Sequence, residues 1–196
     1  MTLRALIPLK RLTLAKSRLA GVLSPAERRQ LALAMASHVI EVVSRQVDEA
    51  ILLATEPVAA FSHIPLMLDA ADGLNDSLQR AAQELNARPG DGLLVVFADL
   101  PLLEPADVTA LIAASAGGLA IAPDRLGVGV NAVGYRQPLD LQFCFGPDSR
   151  RRFEAEARRL GRAPMLVERS GLGLDIDDET SLSIYQRLLG LPALSS

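Results

Sequence analysis

Residues 92–98 read Gly-Leu-Leu-Val-Val-Phe-Ala, with no polar side chain. A strand with one wet face alternates polar and apolar residues, so an unbroken run of this length suits a strand covered on both faces, as in the middle of a parallel sheet. Parallel neighbours need crossover connections, usually helices, and the rest of the chain alternates accordingly. Strands are expected at residues 3–8, 49–54, 64–68, 120–122, 132–135 and 165–167. Helices are expected from Ser24, from the Asp72-Gly73-Leu74-Asn75 turn to about residue 87, from Glu104, over 148–160 and over 178–189. The first of these carries a full start signal. Ser24 can cap, Pro25 fits the first helical position, and Glu27 completes a capping box. Leu31, Met35, Val39 and Val42 then follow at helical spacing.

The expectation is one α/β domain over residues 1–196, with a Rossmann-like, mixed but mostly parallel sheet and a flexible tail after about residue 191. The 196 residues, 49% hydrophobic and 22% charged, supply a core for such a domain and argue against disorder. Twenty Lys+Arg against 23 Asp+Glu give a net charge of −3, so nucleic acid is not an expected partner. No apolar run approaches the length of a membrane span, and the first residues lack a signal-peptide pattern because Lys10, Arg11 and Lys16 interrupt them. A single cysteine, Cys144, allows no internal disulfide, and the expected location is the cytoplasm. His38 and His63 have no partner at ligand spacing and read as structural.

In open parallel sheets ligands bind beyond the carboxyl ends of the strands. The first strand exits into Lys10, Arg11, Lys16, Ser17 and Arg18, a basic loop that could wrap a triphosphate or could simply be solvated. Lys10 and Lys16 are the only lysines in a chain that otherwise uses arginine. No Gly-x-Gly-x-x-Gly follows the first strand and no Walker A motif is present, which removes the two commonest nucleotide-binding classes. The apolar run ends at Asp99, either a turn residue or a ligand for a hard divalent cation. Asp175 and Asp177 share one face of an extended segment, because the side-chain period there is two. Two like charges so placed repel unless a cation lies between them. Asp178 points away and suits a helix cap. Asn75 could read a purine edge or cap its helix. Phe145-Gly146-Pro147-Asp148-Ser149 leads into a helix whose N-terminus favours an anion, with Ser149 as a donor.

Taken in order, Ile7-Pro8-Leu9-Lys10, Lys16-Ser17-Arg18-Leu19, Leu23 to Arg28, Asp72 to Asn75, Asp99-Leu100-Pro101, Phe145 to Ser149 and Leu174 to Asp177 resemble the CofC/FbiD family over nearly the whole chain. These are the guanylyltransferases of deazaflavin coenzyme F420 biosynthesis. The resemblance implies a nucleotide-diphospho-sugar-transferase type of fold. It also implies a reaction between GTP and a small phosphorylated carboxylic acid, namely 2-phospho-L-lactate, phosphoenolpyruvate or 3-phosphoglycerate. The products would be pyrophosphate and a diphosphate-linked guanosine, an unstable compound handed to the next enzyme of the pathway. Carried over by position, Lys10, Lys16 and Arg18 are catalytic cations that hold the triphosphate with Ser17. Asp72, Gly73, Leu74 and Asn75 border the base, and Asp99, Asp175 and Asp177 bind Mg2+. Val130, Asn131, Gly146 and Ser149 meet the phospho-acid.

One position departs from the family: Val130 stands where a threonine is usual, so a hydroxyl donor near the acid is missing and the choice of acid stays open. Rival readings are a nucleotidyltransferase for a sugar phosphate or a molybdopterin-type substrate, and a nucleotide-binding module without turnover. The first usually has a Gly-Gly loop after strand one, which Leu9-Lys10-Arg11-Leu12 lacks.

Overall fold

The computed structural model describes residues 1–12, 16–68, 73–85, 88–137 and 139–190. Asp72, the end of the helix expected to reach residue 87, and the expected tail lie outside these. Strands β1 (Leu3–Leu9), β2 (Glu49–Ala54), β3 (Leu66–Leu68), β4 (Gly92–Val96), β5 (Ala120–Pro123), β6 (Val130–Arg136) and β7 (Met165–Leu166) form one sheet in the order β3-β2-β1-β4-β6-β5-β7. Only β6 runs against the others, pairing antiparallel with both β4 and β5. The order reverses between β1 and β4, since the chain first builds outward from β1 through β2 and β3 and then returns to β1's other side.

Helices α1 (Pro25–Ser44) and α3 (Pro105–Ser115) cover one face, while α2 (Leu74–Glu84) and α4 (Ser149–Arg159) cover the other. The strands feed both cores by alternation. Leu94 and Val96 of β4 enter the α1/α3 core, and Leu93 and Val95 enter the α2/α4 core. All four are 3% exposed or less, which is why the run carries no polar residue. The α1 capping box forms, with Glu27 N donating to Ser24 Oγ and Ser24 N to Glu27 Oε2, an arrangement worth about 1 kcal/mol.

Some boundaries differ from expectation. β1 continues through Pro8 to Leu9, because pairing with β4 has ended at Leu6 and a proline there interrupts no ladder on that side. β3 starts only at Leu66, after Pro65, whose carbonyl accepts from Leu52 N. A one-turn helix, α5 (Ser170–Gly173), has no signal in the hydrophobic pattern. It forms because Asp107, buried at the start of α3, accepts from Arg169 Nε at 2.5 Å and ties this segment down. Gly171 permits the close approach, since a Cβ there would lie 2.5 Å from the Leu102 carbonyl oxygen. Helix α6 (Glu179–Leu188) follows, capped by Asp178, which accepts from Ser181 N. No helix among the described residues is long and apolar enough to cross a membrane.

Candidate active site

A cavity of about 350 Å³ opens where the strand order reverses, beyond the carboxyl ends of β1 and β4. Pro8, Leu9, Phe97 and Ala98 come from those strand ends, Ala32 and Met35 from α1, and Leu74 from the first turn of α2. One part of the wall is cationic, with Lys10, Lys16, Ser17 and Arg18. Asp99, Asn131, Asp175 and Asp177 line the same cavity.

The acidic group is built by two chain segments. β4 ends and the chain turns at Asp99, whose carbonyl accepts from Ile176 N at 3.3 Å. That bond lays residues 175–177 beside the strand end. Ile176 is fully buried in a small cluster with Leu19, Met35 and Leu182, so its neighbours Asp175 and Asp177 project the other way, into the cavity. One oxygen from each of Asp99, Asp175 and Asp177 lies within 4.8 Å of the others. Asp99 Oδ1 is buried without a hydrogen-bond partner, a costly arrangement unless something completes it. Three carboxylates, one with an unpartnered oxygen, are a donor set that fits a hard divalent cation.

Lys16 lines the cavity but makes contacts that the sequence does not suggest. It was expected to reach a triphosphate while the aspartates held a cation by themselves. Its ammonium instead lies between two of the carboxylates, donating to Asp99 Oδ2 at 2.7 Å and to Asp177 Oδ1 at 2.9 Å. Clustered like charges attract the nearest cation, and the left-handed backbone of Lys16 (φ 54°) aims it there. Burial opposes the ammonium charge, but Asp99 and Asp177 overcome it and hold the group above its usual range. Burial likewise raises Asp177, and Lys16, with Lys10 and Arg18 behind it, more than reverses that, leaving this carboxyl below its ordinary value.

Asp175 is pushed up, first by burial and then by Asp99 and Asp177, with its hydrogen bonds acting in the opposite sense. A carboxyl raised in the fold holds its proton more tightly there than in the unfolded chain, so its ionisation costs stability at neutral pH. That cost disappears as pH falls through the folded value. Asp175→Asn, measured in chelator, is therefore expected to melt above wild type at pH 7. The gain should shrink toward pH 4. Equal melting temperatures at pH 7 would contradict the assignment of the shift.

The remaining expected residues divide. Lys10, Ser17, Arg18, Leu74 and Asn131 line the cavity. Gly73 is the N-cap of α2, with φ 110°, and Asn75 is not. The Asn75 amide turns to the Phe145 backbone instead, accepting from its N at 2.8 Å and donating to its O at 3.1 Å, so it presents no amide edge to a base. Val130 also departs from expectation. Its side chain is 3% exposed in the α2/α4 core, so the valine-for-threonine change does not place a missing hydroxyl in this cavity. Gly146 and Ser149 are not among the lining residues. Ser149 is buried in the turn that starts α4, its N–H donating to Gly146 O, and Arg152 caps the same turn by donating to Phe145 O and Pro147 O.

Phe97, Ala32 and Met35 were not foreseen as lining residues. Phe97 could have been found from its place just before Asp99, and it packs on Phe145 with ring centroids 4.8 Å apart. Cys144 carries no reactive signature: burial, its largest influence, pushes its thiol up to about 11.

Comparison with known proteins identifies the family and the fold. The family described as "Guanylyl transferase CofC like" matches residues 3–185. A protein of Sphaerobacter thermophilus named phosphoenolpyruvate guanylyltransferase is 39% identical over 93% of this chain and 91% of its own length. One of the same name from Chloroflexus aggregans is 38% identical over 91% of this chain and 94% of its own length. Among solved structures, a nucleotidyl transferase from Methanothermobacter superposes with a TM-score of 0.68 at 18% identity, covering 96% of this chain and 98% of that one. A Desulfovibrio desulfuricans protein assigned to the nucleotide-diphospho-sugar transferases gives 0.80 at 15% identity, covering 96% and 88%. The structural likenesses establish the nucleotidyltransferase fold, and the sequence matches establish that the chain belongs to the CofC-like guanylyl transferase family.

Proposed function

We propose that this protein joins GTP to a small phosphorylated carboxylic acid, with phosphoenolpyruvate, the acid for which its relatives are named, as the first candidate. The observation that carries the reading is the gathering of cations and three carboxylates in one cavity at the strand-order reversal. A phosphate oxygen of the acid attacks the α-phosphorus of GTP. The new P–O bond forms as the bond from the α-phosphorus to its bridging oxygen breaks, and pyrophosphate leaves with that electron pair. The attacking group is already an anion at neutral pH, so no covalent nucleophile is needed, and catalysis consists of alignment and charge neutralisation.

Lys10 and Arg18 hold the triphosphate from the exposed rim, and Ser17 can donate to it. Lys16 remains a cation under all ordinary conditions and neutralises charge beside Asp99 and Asp177. Asp99, Asp175 and Asp177 would hold Mg2+, which would neutralise phosphate charge when bound. Phe97 and Leu74 supply an apolar wall. The resulting diphosphate-linked guanosine fits a cytoplasmic step of coenzyme F420 assembly, followed by hand-over to the enzyme that consumes it.

Purified protein incubated with GTP, Mg2+ and, in separate reactions, phosphoenolpyruvate, 2-phospho-L-lactate or 3-phosphoglycerate is expected to release pyrophosphate with at least one acid. ATP, CTP and UTP run beside GTP test the base. Folded protein that releases none with any acid overturns the proposal.

A further inference from the structure

Asn131 lies where β6 carries an extra residue. Ala132 pairs with Ala122 and Val130 with Pro123, so two steps along β6 oppose one along β5, and Asn131 has no partner in that ladder. Its backbone is engaged by β4's end, where Phe97 N donates to Asn131 O at 3.0 Å. The bulge reverses the strand's facing: Val130 and Ala132, two positions apart, enter opposite cores. It also turns the Asn131 side chain, 4% exposed, to the cavity beside Asp175.

Its amide nitrogen meets three oxygens, Leu172 O at 2.9 Å, Asp175 Oδ1 at 3.3 Å and Gly173 O at 3.4 Å. That surrounding fixes the amide's orientation, because its own oxygen in the same place would face three acceptors. Only Oδ1, an acceptor, is then left for the cavity. Phosphate and carboxylate groups of a substrate are acceptors as well at neutral pH, so this side chain is poorly suited to bind the phospho-acid for which its position was first read.

We infer that Asn131 is a positioning residue: it fixes the Leu172–Asp175 segment against the sheet and aims the Asp175 carboxylate at the Asp99–Asp177 pair. Hydrogen-bonded partners behind a ligating carboxylate commonly set metal affinity within a 10–100-fold range. The inference rests on the proposed role of the three aspartates in holding a divalent cation, and the test separates the two. Full-length wild type, Asn131→Ala, Asn131→Leu and Asp175→Asn are titrated with Mn2+, free Mn2+ being read by its paramagnetic resonance, and each variant's melting temperature is recorded. Asn131→Leu keeps the side-chain volume if the alanine variant does not fold. The expected result is Mn2+ binding at least about 10-fold weaker in a folded Asn131 variant, with the KM for phosphoenolpyruvate at saturating Mg2+ within about two-fold of wild type. If Asp175→Asn weakens Mn2+ binding and neither Asn131 variant does, the positioning role is overturned and the metal reading stands. A rise in KM with unchanged Mn2+ binding returns Asn131 to the substrate and also overturns it. A wild type that takes up no Mn2+ overturns the metal reading, and the positioning role with it.

Discussion

Lys16→Arg is expected to lose about 10²-fold in kcat/KM although the charge is kept. The Lys16 side chain is 8% exposed, and its ammonium donates at 2.7 and 2.9 Å to carboxylates delivered by different segments. A compact point charge with three donors fits between them. The planar guanidinium is wider and prefers to meet one carboxylate with two parallel bonds. It would thus pair with one aspartate and crowd or release the other. A hydrogen bond to a charged group is worth about 1.5–3 kcal/mol. Losing one such bond in the transition state corresponds to roughly a 10–10²-fold change, and misplacement of the neighbouring cations adds to it. Pyrophosphate release under saturating and limiting GTP gives the measurement. A near-normal rate would mean that any cation in this loop suffices, and that the geometry at Lys16 is incidental.

A larger loss, about 10³-fold in kcat, is expected for Asp99→Asn. The substitution keeps size and lets the amide oxygen go on accepting from Lys16, so packing changes little. It removes the negative charge and replaces the buried, partnerless Oδ1 with an N–H2 that cannot ligate a cation. Several kcal/mol of transition-state charge stabilisation are at stake in such a site, and each 1.36 kcal/mol is a factor of ten. GTP affinity, which the proposed roles assign mainly to the cationic loop, should change far less than kcat, which single-turnover kinetics beside equilibrium binding would resolve. A variant that retains wild-type turnover would remove Asp99 from the reaction and overturn its proposed role in holding a divalent cation.

The parts of this site legible in the sequence are those set by local rules. β4 announced itself because a strand buried on both faces tolerates no polar side chain, and Asp99 follows where that strand must turn. Asp175 and Asp177 were paired by the period of extended chain, and Asp178 was assigned as a cap by its position ahead of α6. What stayed hidden depends on contacts between distant residues. The bulge that reverses Val130 exists only in the β5–β6 register. Asn75 turns to Phe145, 70 residues away, and α5 is held by an ion pair between Arg169 and Asp107, 62 residues apart. Composition and spacing carry no trace of such pairings.

The two cation–carboxylate contacts at Lys16 span 83 and 161 residues of chain. Loop-closure entropy opposes the longer one, and the Leu19–Met35–Ile176–Leu182 cluster beneath it supplies apolar burial that offsets the cost. Order of synthesis follows from this. A ribosome-bound chain that has emerged as far as β6 holds all the cations of the basic loop and Asp99, but neither Asp175 nor Asp177. Under the proposed roles such a chain lacks two of its three metal-holding carboxylates, so activity would wait until the last segment of the domain docks.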